Sequence, residues 1–437
     1  MRMIVIGGGP AGMAAAVSAK KQGVEEVLLL ERHPYLGGVL PQCIHNGFGT
    51  QLYGEDYTGG EYAWMWKEKT VEAGVRVMTA ATVLSIGKRA EGWQARCVSA
   101  DTGAVDLRAD AVIIATGCRE RTLPQMRIPG SRPAGIFTAG SAQLMMNLRN
   151  FLPGKSAVIL GSGDIGLIMA RRMTLEGIRV KLILGQEATG LARNIVQCVK
   201  DYDIPLRYGW TLASTHGYER LKGVTVAPIG EDGRADLKQK EYIPCDTLLV
   251  ATGLIPELEV CGAYVPEQEP GLFVCGNAHV VHDLVDHVTE EAIETGRRAA
   301  EYLGKSVSRP QKKKTASREL TGSRGNMICT VCPKSCILQV ETDPFSVSGN
   351  QCERGEAFAR QELESPRRVL TAVVGTDCAE TPVLSVRTDR PVEKAELFQV
   401  MRAIKRIRVK GPVRPGQVIQ KNIAGTGADL VATWEVL

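Results

Sequence analysis

Cys329, Cys332 and Cys336 fall within eight residues, and Cys352 follows at a distance. Four thiolates in a tetrahedral set suit zinc or an iron–sulfur cluster. Structural zinc more often takes two separate C-x-x-C pairs, whereas three close cysteines plus a remote one match 4Fe–4S ligation. Both metals stay open on spacing alone, and the four residues are expected to hold one centre.

A second chemistry is written in glycine. Gly7-Gly8-Gly9-Pro10-Ala11-Gly12 is a G-x-G-x-x-G directly after an apolar run. Gly7 permits the tight turn, Gly9 lets main chain approach a pyrophosphate, and Gly12 lets a helix close on its strand. Pro10 suits the first helical turn, whose free amides attract phosphate. Glu31, with Arg32 next to it, ends the following apolar run about 20 residues after the last glycine, where an acid takes ribose hydroxyls. Gly161-Ser162-Gly163-Asp164-Ile165-Gly166 repeats the pattern. Its acid would be Glu187, and no arginine stands at that turn to grip a 2′-phosphate, so NAD(H) is expected there, with NADP(H) still possible.

Strands must present these loops. Met3–Ile6, Val27–Leu30, Ala111–Ala115, Ala157–Leu160, Val180–Leu184 and Thr247–Ala251 are compact apolar runs of the kind parallel sheets need. A helix is expected over Thr289–Leu303, packing through Ala292, Gly296, Ala299 and Ala300. The expected fold is α/β: two Rossmann-like doubly wound dinucleotide-binding domains plus a small C-terminal α+β cysteine-cluster domain.

Composition narrows the partners. The 437 residues, 44% hydrophobic and 23% charged, can bury a core over two or three domains. No apolar run reaches the roughly 18 residues of a membrane helix, and the N-terminus enters a strand with no signal peptide, so a cytoplasmic location is expected. The net charge of +5 lies entirely in Ser306–Gly325, where six basic residues meet one acid. That reads as a solvated linker, and nucleic acid binding is not expected.

The paired loops, Ala115-Thr116-Gly117, Ala251-Thr252-Gly253 and the late Gly276-Asn277 resemble the two-dinucleotide flavoproteins that include thioredoxin reductase and NAD(FAD)-dependent dehydrogenases. Within that group, the stretch from Leu36 through Gly38, Val39, Cys43 and His45 to Gly49, and that from Cys275 to Glu291, are similar to dehydrogenases linked to anaerobic glycerol-3-phosphate oxidation. The resemblance implies FAD in a discontinuous domain of residues 1–118 and 246–305 and NAD(P) in residues 119–245. A linker at 306–325 and a tail at 326–437, similar to an uncharacterised CXXC-pair family, complete the chain. Asn277 replaces the family's flavin-facing aspartate. The family's redox cysteine pair is absent, since Cys43 is the single cysteine after Gly37-Gly38, which argues against internal dithiol exchange. Cys43, His45, His279 and His282 are candidates to meet flavin or substrate, with packing roles as the alternative.

These parts imply an oxidoreductase that moves electrons between NADH, FAD and the cysteine centre, beside a separate dehydrogenase subunit for a glycerol-3-phosphate-type substrate. The alternative is a self-contained oxidase of a small amine or opine-like substrate with a zinc tail.

Overall fold

The computed structural model describes residues 1–305 and 326–436. The linker expected at 306–325 lies outside the described residues. Two compact units result, one from residues 1–119 and 254–305, the other from 120–253 and 326–436.

The first unit is built on a five-stranded, fully parallel sheet in the order Leu272–Val274, Ala111–Ile114, Arg2–Ile6, Glu26–Leu30, Arg76–Met78. The inner strands are buried on both faces, which is why they read as unbroken apolar runs. Helix Pro10–Lys21 packs against helix Val285–Tyr302, and the two approach closely because both carry small residues. A Cβ on Gly296 would stand 2.3 Å from the Ala15 carbonyl oxygen. An antiparallel meander of Ala81–Lys88, Trp93–Ser99 and Gly103–Ala109 completes the unit.

The second unit repeats this plan. Its parallel sheet runs Ile136–Thr138, Thr247–Val250, Ser156–Leu160, Arg179–Gly185, Leu206–Tyr208, with a meander of Trp210–Gly217, Leu221–Pro228 and Glu241–Pro244. The sequence reading closes the inserted domain at residue 245, but the sheet carries it to Gly253. Thr247–Val250 pairs with both Ser156–Leu160 and Ile136–Thr138, so it belongs to the second sheet.

The tail holds a three-stranded sheet of Asn326–Ile328, Ile337–Thr342 and Phe345–Ser348, then helix Glu353–Glu364. A five-stranded mixed sheet follows, with helix Leu397–Ile404 on it. The tail is the small C-terminal domain that the sequence leads one to expect, and it packs within the second unit. Arg171 Nη2 donates to the Val369 carbonyl at 3.0 Å. Arg368, 5% exposed, donates to Asp201 at 2.7 Å and to Glu362 at 2.7 Å. Lys394 Nζ stands 3.0 Å from the same aspartate. Charges this deeply buried persist only when paired.

The closing helix begins at Val285, one turn before the expected Thr289. His287 therefore lies within it rather than ahead of it. Asp286, 1% exposed, explains the earlier start: its carboxylate accepts from the amides of Gly49 and Leu52 at 3.3 and 3.0 Å, tying the first turn to the Cys43–Leu52 segment.

Candidate functional site

Each glycine loop is forced by backbone contact. Gly7 has φ +109°, and a Cβ there would meet the Ala115 carbonyl oxygen at 2.3 Å; a Cβ on Gly12 would stand 1.7 Å from the Gly7 carbonyl oxygen. In the second loop Gly161 has φ +119° with the Ala251 carbonyl oxygen 2.0 Å from such a Cβ, and Gly166 would press on Gly161 at 2.4 Å. The two loops are steric copies. Ala115-Thr116-Gly117 and Ala251-Thr252-Gly253 thus act first as the walls against which the glycines turn.

Both loops leave room for phosphate. Gly9 caps helix Pro10–Lys21 and Gly163 caps helix Asp164–Leu175, neither with a side-chain hydrogen bond, so the first amides remain for a ligand. Above Gly9 the nearest atom to an added Cβ is the Gly38 Cα, at 3.8 Å. Gly38 has φ +58°, and a Cβ on it would meet the Gly9 Cα at 2.9 Å, so this glycine keeps the first cradle open. Val39 and Arg32 beside it are exposed.

The two acids differ. Glu31 is buried at the loop, where Oε2 accepts from the Gly8 amide and Oε1 from the His33 amide, both at 2.7 Å. A carboxylate has further lone pairs for ribose hydroxyls. Glu187 is exposed, and its carbonyl, not its carboxylate, receives the Ser162 hydroxyl at 2.6 Å. Asp164 Oδ1 accepts from the Leu191 amide and Asn194 Nδ2 at 2.7 and 2.8 Å, and Ile165 packs on the second unit's core.

Around the first cradle, Gly276 lies against helix Pro10–Lys21, with Ala11 Cβ 2.7 Å from a Cβ placed on it. Asn277 Oδ1 accepts from the His282 amide at 3.0 Å, and its Nδ2 reaches Cys118 Sγ at 3.7 Å. His279 and His282 come together on one carboxylate, Glu291, which sequence reading did not single out. The His45 ring lies 5.0 Å from that of Phe48.

Cys43 is buried, and its thiol points at the Val39 carbonyl at 3.5 Å. Burial pushes it up to about 12, and likewise pushes Cys198 and Cys245 up to about 11. These thiols stay protonated in the folded chain while the same groups in the unfolded chain ionise near 9. The folded state then holds more protons than the unfolded state, so stability is complete below about pH 9 and falls as pH rises toward 11–12. Thermal midpoints taken in steps across that window are expected to drop. Cys43→Ala should flatten part of the decline, and a midpoint constant through the window would contradict the buried-thiol account.

In the tail, Cys329 and Cys336 are buried, Cys332 is half-buried and Cys352 is exposed. The Cys329 amide donates to the Cys336 carbonyl at 2.8 Å, and Ser335, at φ +49°, turns the loop between them. Burial raises the Cys329 thiol, and the other three thiols act on it in the same direction, so all four lie within electrostatic reach. Burial opposes ionisation of Cys352, but the neighbouring Arg354 guanidinium outweighs it and holds the thiol below its ordinary range. Among the described residues no three His, Cys, Asp or Glu side chains already stand as a closed metal set. The loop is fixed to the glycine-loop side of its unit, where the Arg193 amide donates to Ser335 Oγ at 3.2 Å.

Two steric copies of a phosphate cradle, each on its own parallel sheet, define a two-dinucleotide oxidoreductase. Residues 1–275 match the family described as pyridine nucleotide-disulphide oxidoreductase, and the chain belongs to that family of FAD- and NAD(P)-dependent enzymes. Residues 353–434 match a family described as a protein of unknown function, DUF1667. An opine oxidase subunit of Agrobacterium tumefaciens is 34% identical over 277 residues, covering 60% of this chain and 54% of that one. The hydrogen cyanide synthase subunit HcnB of Pseudomonas protegens is 29% identical over 279 residues, 59% of this chain and 57% of that one. The chain thus spans little more than half the length of these curated relatives. Thioredoxin reductase of T. acidophilum shares the fold with a TM-score of 0.54 at 21% identity, over 69% of this chain and 96% of that one. An NAD-dependent persulfide reductase from A. fulgidus does so with a TM-score of 0.52 at 16% identity, over 91% and 72%. No helix among the described residues is long and apolar enough to cross a membrane.

Proposed function

We propose that the protein is an electron-transfer subunit that passes electrons between a nicotinamide, a flavin and a metal centre held by Cys329, Cys332, Cys336 and Cys352. The observation carrying this reading is the attachment of the cysteine loop, at Ser335, to Arg193 in the unit that bears the second cradle. FAD suits the first cradle, because Glu31 lies against its loop and Gly38 keeps it open. A nicotinamide dinucleotide suits the second, where Gly163 leaves the helix amides free. Bound flavin supplies a change between two-electron and one-electron chemistry. The chain's own residues hold the pyrophosphates, orient the rings and set the cysteine loop beside the nicotinamide module.

The four cysteines fit a 4Fe–4S cluster in kind and number, with two thiols buried and a guanidinium, Arg354, at the exposed one. The related proteins named as subunits support a partner, here a separate dehydrogenase for a glycerol-3-phosphate-type substrate. Anaerobically purified protein is expected to carry flavin that NADH bleaches, together with iron and sulfide. Cys336→Ser should lose the iron while keeping the bleachable flavin. Flavin that neither NADH nor NADPH reduces would sink the proposal, and zinc in place of iron would remove its outlet.

The 34% identity to a protein named as an opine oxidase subunit favours a second reading, an oxidase of a small amine or opine-like substrate. Flavin bleaching by such a substrate without any partner protein would select it.

A further inference from the structure

His279 Nδ1 lies 2.6 Å from Glu291 Oε1, and His282 Nε2 lies 2.5 Å from Glu291 Oε2. One carboxylate thus holds two imidazoles through opposite ring nitrogens. An ionised carboxylate only accepts, so both of those nitrogens must carry hydrogen. A neutral imidazole in each place is then the Nδ1–H tautomer for His279 and the Nε2–H tautomer for His282. The nitrogens left bare are His279 Nε2 and His282 Nδ1. Among the described residues no lysine or arginine is ion-paired with Glu291 to loosen this arrangement.

The place of the cluster gives it meaning. His282 is tied by its amide to Asn277, which reaches Cys118 just past Ala115-Thr116-Gly117, and Gly276 packs on the first turn of the first cradle's helix. All of this lies beyond the carboxyl ends of strands Ala111–Ile114 and Leu272–Val274, the side on which open α/β sheets take ligands. His279 is half exposed, while His282 and Glu291 are about one-fifth exposed, so the set reaches from the rim to solvent.

We infer that Glu291 is a positioning residue that locks His279 and His282 in opposite tautomers and makes them the proton-accepting site of the first cradle. The inference rests on the electron-transfer reading above. Oxidation of NADH to NAD⁺ releases two electrons and one proton. When the electrons leave singly through the cysteine centre, the proton remains and needs a base. His282, the less exposed of the two, is the inner acceptor, and the half-exposed His279 is the outer one. Because both N–H groups point at Glu291, the set stores a proton rather than conducting one across itself.

Nitrogen-15 correlation spectra of the whole chain test this directly, since it holds only six histidines. His279 is expected in the Nδ1–H form and His282 in the Nε2–H form. Glu291→Gln, which offers one acceptor oxygen in place of two, should flip or average at least one of them while His33, His45, His216 and His287 keep their signals. His279 found as Nε2–H in the unaltered protein, or both tautomers unchanged in the variant, overturns the assignment. In a second measurement, the flavin is reduced with NADH and then reoxidised by ferricyanide. Glu291→Gln should slow reoxidation about tenfold and leave reduction near its original rate. Equal slowing of both steps, or of neither, overturns the proton-accepting role. A chain without flavin absorbance would refute the cofactor reading and that role together, while the tautomers are still decided by the spectra.

Discussion

Gly12→Ala is expected to yield a chain that no longer retains flavin and is destabilised by ~3 kcal/mol or more. The added methyl would fall 1.7 Å from the Gly7 carbonyl oxygen, well inside any contact distance. Neither partner can yield cheaply. Gly7 is held at φ +109° with its amide on the Leu30 carbonyl at 2.8 Å, and the helix after Gly9 is packed against Val285–Tyr302. Strand and helix would have to part, and the helix amides would leave the place where phosphate lies. Thermal unfolding and flavin absorbance report the two effects separately. Gly87→Ala is the control, because it lies in strand Ala81–Lys88 with nothing within 4 Å of an added Cβ. A flavin-bearing Gly12→Ala protein with an unchanged midpoint would refute the steric account of the cradle.

The second large effect is expected far from either cradle. Arg368→Ala should destabilise the second unit by about 3–5 kcal/mol, the usual consequence of removing one partner from a buried ion set. Arg368 serves Asp201 through Nε and Nη2, and Glu362 through Nη1 and Nη2, at 2.7–3.2 Å. Asp201 would keep Lys394 at 3.0 Å, but that side chain is about one-third exposed and bonds a single oxygen. Denaturant midpoints check the loss. Arg368→Met with Asp201→Asn should recover part of it, because the deeply buried carboxylate is then gone and only the half-buried Glu362 is left without its guanidinium. A variant within about 0.5 kcal/mol of the parent would mean that the pairing contributes nothing.

The contrast between these sites explains what the sequence could be made to tell. Gly7, Gly12, Gly161 and Gly166 are legible because no other residue satisfies the contact, and the spacing between them is local. The strands are legible because burial on both faces leaves them almost wholly apolar. Thr247–Val250 is assignable to a sheet only once the chain is folded, since an apolar run fits the first sheet as well as the second. The start of the closing helix depends on Asp286 meeting amides at Gly49 and Leu52, which lie far away in sequence. Glu291 has the same character: nothing in its own neighbourhood distinguishes it from Glu290 or Glu294 until His279 and His282 fold back onto it. Arg368 and Asp201 are 167 residues apart, and no periodicity links them.

Arg171 and Asp201 carry a consequence for descent. Both belong to the module that carries the second glycine loop; Arg171 bonds Tyr202 within it, and the pair also takes Val369 and Arg368 from the tail. Were the tail absent, water would solvate the exposed guanidinium and carboxylate, and neither position would need to change. The constraint acts while the tail is present: losing Asp201 leaves the buried Arg368 to Glu362 alone, so a change at one end of this pair calls for a change at the other.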